Sequence, residues 1–299
     1  MEFKQLEAFV NVVRYKSFSK AADASFLTQP TVSTHIKSLE KELGVTLIDR
    51  MGKESLPTSE GRELYRYAVN MLNTRQQAAE VIGGMEDSAA GIINIQSSSI
   101  PGNYLLPEIM SAFHEKYPMV RFYTEVTDSE NVRKSILEST GEIGFTGEIR
   151  KEGLDAKLLY TDEVALIVPA TEHYRKIREK TDRISVKEIA GEPFIWREEG
   201  SATRMTFEEK ATKVIGKRLE SVAVVNSLDA IMACVSAGLG VSVISHLASK
   251  SVRAEKCLLF RLSDVSLQRK FYVISSKDVS LSPTAEKFRS FALHYFKNE

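Results

Sequence analysis

The sequence predicts an α/β protein with a small helical head carried on a long helix. Three observations point there. Three short amphipathic stretches are packed between Phe3 and Gly44. From Thr58 to Ile82 one apolar face persists without a break. From Ile92 onward, β-rich runs alternate with helical ones, which implies α/β layers with mostly parallel strands. At 299 residues the chain is long for one core, so roughly two or three domains are expected.

In the head, Leu6, Phe9, Val10 and Val13 recur at i, i+3, i+4 and i+7 and mark a first helix. Tyr15-Lys-Ser-Phe-Ser19 breaks it. Ser19 is placed to cap a second helix, with Phe18 as a hydrophobic staple and small Ala21 and Ala22 allowing close packing. Thr28 caps a third helix, Pro30 falls in its first turn, and Gly44 stops it. Val32, Ile36, Leu39 and Leu43 form its apolar stripe. The other face carries Gln29, Thr31, Ser33, Thr34, His35 and Lys37. Short donors and acceptors on the first turns of a short helix suit the reading of base edges in a major groove. An ordinary hydroxyl-rich surface helix has the same composition, and the neighbouring elements decide between the two. Three short helices with tight turns form a helix-turn-helix with one extra helix.

Leu47–Arg50 reads as a strand that turns at Met51-Gly-Lys53 and returns through Leu56, a hairpin wing. Arg50 and Lys53 sit where a wing meets phosphate or the minor groove; the bland alternative is a pair of solvated turn charges. Thr58 caps the long helix, with Glu60 near its positive end. Leu64, Ala68, Met71, Leu72, Ala79 and Ile82 line one side. Because no globular core precedes this face, an identical partner is expected to cover it. Gly83-Gly84 and Asp87–Gly91 supply the hinge.

Strands are expected at Ile92–Ser97, Val120–Val126, Ile143–Thr146, Val164–Val168, Phe194–Trp196, Leu219–Val225, Val241–Ile244, Leu258–Phe260 and Phe271–Ile274. Helices are expected at Leu105–His114, Asn131–Ser139, Met205–Ile215 and Leu228–Ala237. The expected units are residues 1–58, 59–90 and 91–299.

Composition excludes several function classes. Lys+Arg and Asp+Glu both number 40, so any nucleic-acid contact must come from local placement of charge. Cys234 and Cys257 have no metal-ligand spacing and read as buried thiols of a reducing cytoplasm. The start MEFKQLEAFV has no signal pattern, and no apolar run is long enough to span a membrane, so a cytoplasmic protein is expected. Gly238-Leu-Gly240 lacks the third glycine of a dinucleotide loop, and the five histidines are scattered singly. Neither a catalytic constellation nor a resident cofactor or metal is expected.

Hydroxyl groups gather where strands run into helices: Ser97–Asn103, Thr146-Gly147, Ser201–Arg204 and Asn226-Ser227. Helix-start amides and hydroxyls host small oxyanions or carboxylates. Each such residue is equally suited to be a plain helix cap. Arg204 is the nearby cation, free for an anion or held in an ion pair.

The order of parts resembles the LysR-type transcriptional regulators of bacteria. The matching runs are Leu6-Glu-Ala-Phe-Val10, Ser17-Phe-Ser-Lys-Ala-Ala22, Leu27-Thr-Gln-Pro-Thr-Val-Ser33, Ile36-Lys-Ser-Leu-Glu40, Leu43-Gly44, Leu47-Ile-Asp-Arg50 and Leu56-Pro-Thr-Ser-Glu-Gly61. Behind them, Leu106-Pro107, Gly141-Glu-Ile-Gly144 and Ala237-Gly-Leu-Gly-Val241 match more loosely. The resemblance implies a winged helix-turn-helix, a linker helix and a two-lobed type 2 periplasmic-binding-protein-like effector domain. Its lobes would be 92–161 with 268–299, and 162–267. It implies double-stranded promoter DNA as partner, a homodimer or homotetramer, and RNA polymerase if the protein activates. Thr28, Gln29, Pro30, Thr31, Ser33, Thr34, His35 and Lys37 would contact DNA, with Arg50 and Lys53 on the wing. A small effector, an oxyanion or small carboxylate, would sit among Ser98, Ser99, Ile100, Thr146, Ser201 and Thr203. The family often has Arg after the serine matched by Ser33, where this chain has Thr34-His35, so an operator sequence does not transfer. Glu198-Glu-Gly-Ser-Ala-Thr-Arg204 looks most like members tied to sulfur-oxyanion or selenium metabolism, although small carboxylates suit the same donors.

Overall fold

The computed structural model describes residues 1–49, 54–83, 88–147, 149, 152–199, 201–252, 255–265 and 267–296. The head is built from α1 (Phe3–Tyr15), α2 (Phe18–Ser25) and α3 (Gln29–Leu43), followed by a hairpin of β1 (Ile48–Asp49) and β2 (Leu56–Pro57). Leu6, Phe9, Val10 and Val13 are all buried against Ala21, Ala22, Val32, Ile36 and Leu39, as their spacing requires. Two details differ from the sequence reading. Ser17, not Ser19, caps α2, accepting from the Lys20 amide at 3.4 Å. Leu43 is 41% exposed, because the last turn of α3 projects past the core.

Helix α4 (Ser59–Ile82) leaves the wing at a tight corner. The Thr58 hydroxyl accepts from the Gly61 amide (3.0 Å) and donates to the Thr46 carbonyl (2.7 Å). A Cβ on Gly61 would lie 2.1 Å from the Leu47 carbonyl oxygen, so only glycine fits the corner. The apolar face of α4 is divided. Ala68 is buried in the head's own core, with Leu64, Met71 and Leu72 packed against it, whereas Ala79 and Ile82 stay exposed. The expectation that this whole face lacks a partner within the chain is therefore corrected: its first half is covered by α1 and the rest of the head.

The remaining chain forms a two-lobed α/β domain. Its first stretch is β3 (Gly91–Ser98), α5 (Ser99–Tyr104), α6 (Leu106–Lys116), β4 (Val120–Thr127), α7 (Ser129–Leu137), β5 (Ile143–Thr146) and the long β6 (Leu154–Pro169). Then follow α8 (Glu172–Lys180), β7 (Arg183–Ile184), β8 (Phe194–Arg197), α9 (Ala202–Ile215), β9 (Ser221–Val225), α10 (Leu228–Ser236) and β10 (Ser242–Ser245). A 3-10 turn leads to β11 (Cys257–Leu262), β12 (Gln268–Ser276) and α11 (Pro283–Tyr295).

The strand order is β4-β3-β5-β12-β6-β11-β7, with β10 also on β6 and β8 paired with β9. Strand β6 holds the domain together. Residues 154–163 pair with β12 in the first lobe, and residues 164–169 pair with β10 and β11 in the second. Each lobe has an aromatic core. Phe113 meets Phe288 edge-on at 5.1 Å in the first; Phe194 stacks on Trp196 at 4.7 Å in the second. The sheet is less parallel than the alternation implies. Strands β3, β4 and β5 are parallel, but β12 runs against β5, and β6 runs against β10, β11 and β12. Two strands that cross between lobes in opposite directions impose this mixture. Helix α5 occupies the hydroxyl-rich stretch after β3, where the sequence reading placed no helix.

Replacing Gly61 by Ala should lower stability by about 1–3 kcal/mol or more through overpacking against the Leu47 carbonyl. Denaturant unfolding measures this, and an unchanged midpoint would contradict the corner's geometry.

Candidate nucleic-acid interface and interlobe cleft

On α3, Thr28, Gln29, Pro30, Thr34 and Lys37 are exposed, and Thr31, Ser33 and His35 are half-buried. Several of the short polar groups are already used. The hydroxyls of Thr28 and Thr31 bond to each other at 2.8 Å, and that of Thr34 donates to the Pro30 carbonyl at 2.9 Å. Among the described residues, no hydrogen bond within the chain engages the side chains of Gln29, Ser33 or Lys37, so their donors and acceptors are open to a partner. Pro30, Thr34, Lys37 and Lys41 follow at i, i+4, i+7 and i+11 and are all exposed, which adds Lys41 to the outward stripe. The sequence reading passed over it because its neighbours Leu39 and Leu43 look like core.

Two further features fix the interface. Glu40 turns inward and accepts from the Leu47 and Ile48 amides (2.9 and 3.3 Å), tying the wing's first strand to α3. Phe26, in the turn before α3, is 98% exposed and sits at φ 55°, an uncommon conformation for a side chain of that bulk. Arg50 and Lys53, expected on the wing, lie outside the described residues.

Between the lobes, Ser98, Ser99, Ile100, Ser201 and Thr203 converge on one cavity of about 20 Å3. Asp128, Ser129, Arg197, Glu198 and Arg269 complete its wall. Thr146 is not on that wall: it is fully buried at the end of β5. Ser227 is elsewhere too, capping α10 from the Ala230 amide. Arg204 serves the structure, donating to the Arg197 carbonyl (2.8 Å), pairing with Glu208 (3.4 Å) and lying over Trp196.

The cation of the cleft is Arg269, which the sequence reading missed. Its Nη1 donates to the Thr203 hydroxyl at 2.5 Å and its guanidinium lies 4.8 Å over the Phe271 ring. A Cβ on Gly147 would sit 2.5 Å from Nη2, so glycine lets the backbone close against the cation. Burial draws the Arg269 pKa down to about 10, with Arg197 adding to the fall and Asp162 opposing it; the group stays charged at neutral pH. Asp162 is its cross-strand partner on β6. Burial pushes that carboxyl up, against hydrogen bonds from the Ser245 hydroxyl and the Leu247 amide. Among the described residues, Arg269 Nε and the buried Ser98 Oγ have no hydrogen-bond partner. Buried polar groups of this kind are costly to leave unpaired, and here two of them border one cavity. The pair Glu198 and Arg197 is locked by bonds of 2.6 and 2.9 Å. Burial disfavours the ionised Glu198, but Arg197 and the backbone amide outweigh it and keep the carboxyl below its ordinary range. Arg269 was legible in principle: Arg269, Phe271 and Val273 alternate on the buried side of β12.

Residues 3–62 match the model of the bacterial regulatory helix-turn-helix protein, lysR family, and residues 86–297 match that of the LysR substrate binding domain. The HTH-type transcriptional activator CmpR of Synechocystis sp. is 29% identical over 95% of this chain and 92% of its own length. An uncharacterized HTH-type transcriptional regulator of Methanocaldococcus jannaschii is 32% identical over 91% of each chain. Among solved structures, a full-length OxyR variant from Pseudomonas aeruginosa has the same fold, with TM-score 0.78 at 20% identity, covering 98% of this chain and 95% of that one. Full-length CbnR complexed with its target DNA gives TM-score 0.58 at 19% identity, over 98% and 99%.

Thr203→Val should destabilise the protein by about 1–3 kcal/mol, because the buried Nη1 loses its acceptor, while Thr203→Ser should restore it. Urea unfolding of both variants checks this; equal stability of the Val and Ser proteins would remove the hydroxyl from the argument.

Proposed function

The chain belongs to the LysR family: it is a DNA-binding transcriptional regulator with an effector-binding domain, and we propose that it reads promoter DNA as a homo-oligomer in the cytoplasm and responds to a small anionic effector between its lobes. The units are residues 1–58 for DNA, 59–90 for the linker helix and 91–299 for the effector. Helix α3 enters the major groove. Gln29 and Ser33 read base edges there, with Thr28, Pro30, Thr31, Thr34 and His35 beside them. Lys37 and Lys41 meet phosphate, as do Arg50 and Lys53. The engaged hydroxyls of Thr31 and Thr34 favour a smaller reading set than the composition of the helix implies. That CbnR is complexed with its target DNA supports the same partner here. The exposed surface of α4, with Tyr67 in its first half and Val81 and Ile82 at its end, is what a second copy would cover. RNA polymerase is a partner if the protein activates.

One observation carries the effector reading: the Nε of Arg269 and the Ser98 hydroxyl, which border one cavity and have no hydrogen-bond partner among the described residues. Both can donate to an oxyanion or small carboxylate, with Ser99, Ser201 and Thr203 around it. Ile100 supplies an apolar edge and Thr146 backs the site from β5. A cavity of about 20 Å3 is near the size of a single water, so anything larger requires the lobes to part. An effector then shifts the lobes by its differential affinity for the two states.

The test is a mobility shift with the upstream region of the protein's own gene at about 100 mM salt. A retarded band is expected; no retardation, with or without added sulfate, hydrogen carbonate or acetate, would reject the regulator and leave a small-molecule binding protein. Gln29→Ala and Ser33→Ala should each relax sequence preference by about 1–3 kcal/mol. A uniform loss on all DNA would instead assign those residues to phosphate.

A further inference from the structure

The head, α4 and the first lobe meet around a cavity of about 480 Å3, which shares no lining residue with the interlobe cleft. Its volume falls within the roughly 300–1,000 Å3 of small-molecule sites. Val10 of α1 and Val69, Leu72 and Ala79 of α4 give it an apolar wall.

The amide side chains on the wall are all turned the same way. Asn73 Nδ2 donates to the Ser280 carbonyl at 2.7 Å, Asn11 Nδ2 donates to the Ser25 hydroxyl at 2.9 Å, and Gln76 Nε2 donates to Glu80 Oε1 at 3.1 Å. These partners fix the orientations. A carbonyl or a carboxylate can only accept, and the Ser25 hydroxyl already donates its proton to the Ala21 carbonyl at 2.8 Å. Each amide thus uses its NH2 group within the protein and keeps its oxygen. Among the described residues, no hydrogen bond engages those three oxygens. Asn73 is only 8% exposed, and an acceptor held that far from bulk water is costly to leave unpaired.

Among the described residues, four charged side chains line the cavity. Two of them neutralise each other: Arg75 pairs with Glu7 at 2.5 Å and lies over the Phe3 ring. Arg14 and Glu142 remain. Burial works against the Arg14 charge, but Tyr65 and Glu142 outweigh it and raise its pKa. The two are near neighbours, yet each has its own anchor. Arg14 reaches the Tyr65 hydroxyl, which itself donates to the Ser139 carbonyl at 3.0 Å. Glu142 Oε1 accepts from the Ser282 amide at 2.7 Å. A void of about 20 Å3 adjoins the cavity and shares Arg14 and Glu142 with it. There the buried Asn94 Nδ2 has no partner among the described residues, which adds a donor beside Arg14.

We propose that this junction cavity binds the zwitterion of an aliphatic α-amino acid, with the carboxylate on Arg14 and the ammonium on Glu142 and the side-chain oxygens of Asn73 and Asn11. An ammonium group has three donors, and these three acceptors match them. The two charges of an α-amino acid sit on one carbon, as the neighbouring Arg14 and Glu142 require. A plain anion would leave Glu142 and the amide oxygens unpaired, and a plain amine would face Arg14. The aliphatic side chain lies against Val69 and Leu72. The site stands apart from the effector and DNA roles given above, since none of its residues belongs to the cleft or to the outward face of α3.

Titration calorimetry tests this on the full-length protein at pH 7, without DNA, using L-valine, L-leucine and L-methionine. At least one of them should bind with a stoichiometry of about one per chain. Its analogue lacking the amino group and its analogue lacking the carboxyl group should each bind about tenfold more weakly or worse. Glu142→Gln keeps an acceptor for the Ser282 amide and should weaken the amino acid by about the same factor, as should Arg14→Met. Ala79→Trp, at an exposed position of α4, puts an indole into the cavity and should abolish binding while far-UV circular dichroism stays unchanged. If Arg14→Met does not fold, Glu142→Gln and Ala79→Trp decide the matter. No binding by any of the three amino acids would overturn the proposal. So would an analogue that binds as tightly as its parent, or binding left unchanged by either Glu142→Gln or Ala79→Trp.

Discussion

The constraint on which the effector domain depends is a buried guanidinium whose donors are only partly satisfied. Arg269 needs Thr203 from the second lobe, the face of Phe271, the missing side chain of Gly147 and the opposing charge of Asp162 on the neighbouring strand. These contributions come from both lobes and both crossing strands, so the cation sits where the halves of the domain meet. A charge buried in this way costs several kcal/mol without compensation. Among the described residues, what compensates it stops short of Nε. The lobes are closed around a cavity onto which, among the described residues, one buried donor direction of Arg269 is left open.

The head is built on other terms. Its core is ordinary amphipathic packing, and residues 1–58 as a whole carry little net charge. Two of the hydroxyls on α3 close on neighbouring helix groups. That leaves Gln29 and Ser33, among the described residues, as open polar side chains on a scaffold held by Glu40 and the Gly61 corner.

How much was legible in the sequence depends on the range of the interaction. The stripes Leu6, Phe9, Val10, Val13 and Val32, Ile36, Leu39 were read directly, because helical period and burial coincide within a few residues. Strand β5 was read to the residue. The first half of β6 was not, since Asp155, Lys157, Asp162 and Glu163 dilute its apolar pattern, and its pairing with β12 lies more than a hundred residues away. Helix α5 was hidden by Ser-Ser-Ile-Pro-Gly-Asn, a run with the look of a loop. In α4 the obvious apolar face was seen, while Tyr65 and Asn73, which bond Ser139 and Ser280, were not. At a separation of 207 positions for Asn73 and Ser280, no local period reports the contact. In the cleft, Ser98, Ser99, Ser201 and Thr203 stood out as hydroxyls where strands run into helices, and Ile100 came with them from the family resemblance; all five line one cavity. Arg269 escaped because the polar run Gln268-Arg-Lys270 at a strand's beginning reads as an exposed edge.

The most direct test of the account is titration calorimetry at pH 7 of the full-length protein with sulfate, hydrogen carbonate, phosphate and acetate, repeated with Arg269→Met. The account predicts that at least one of these anions binds the wild-type protein with a stoichiometry of about one per chain and that this binding disappears in the variant. Binding that survives Arg269→Met, or no binding by any of the four anions, would contradict it.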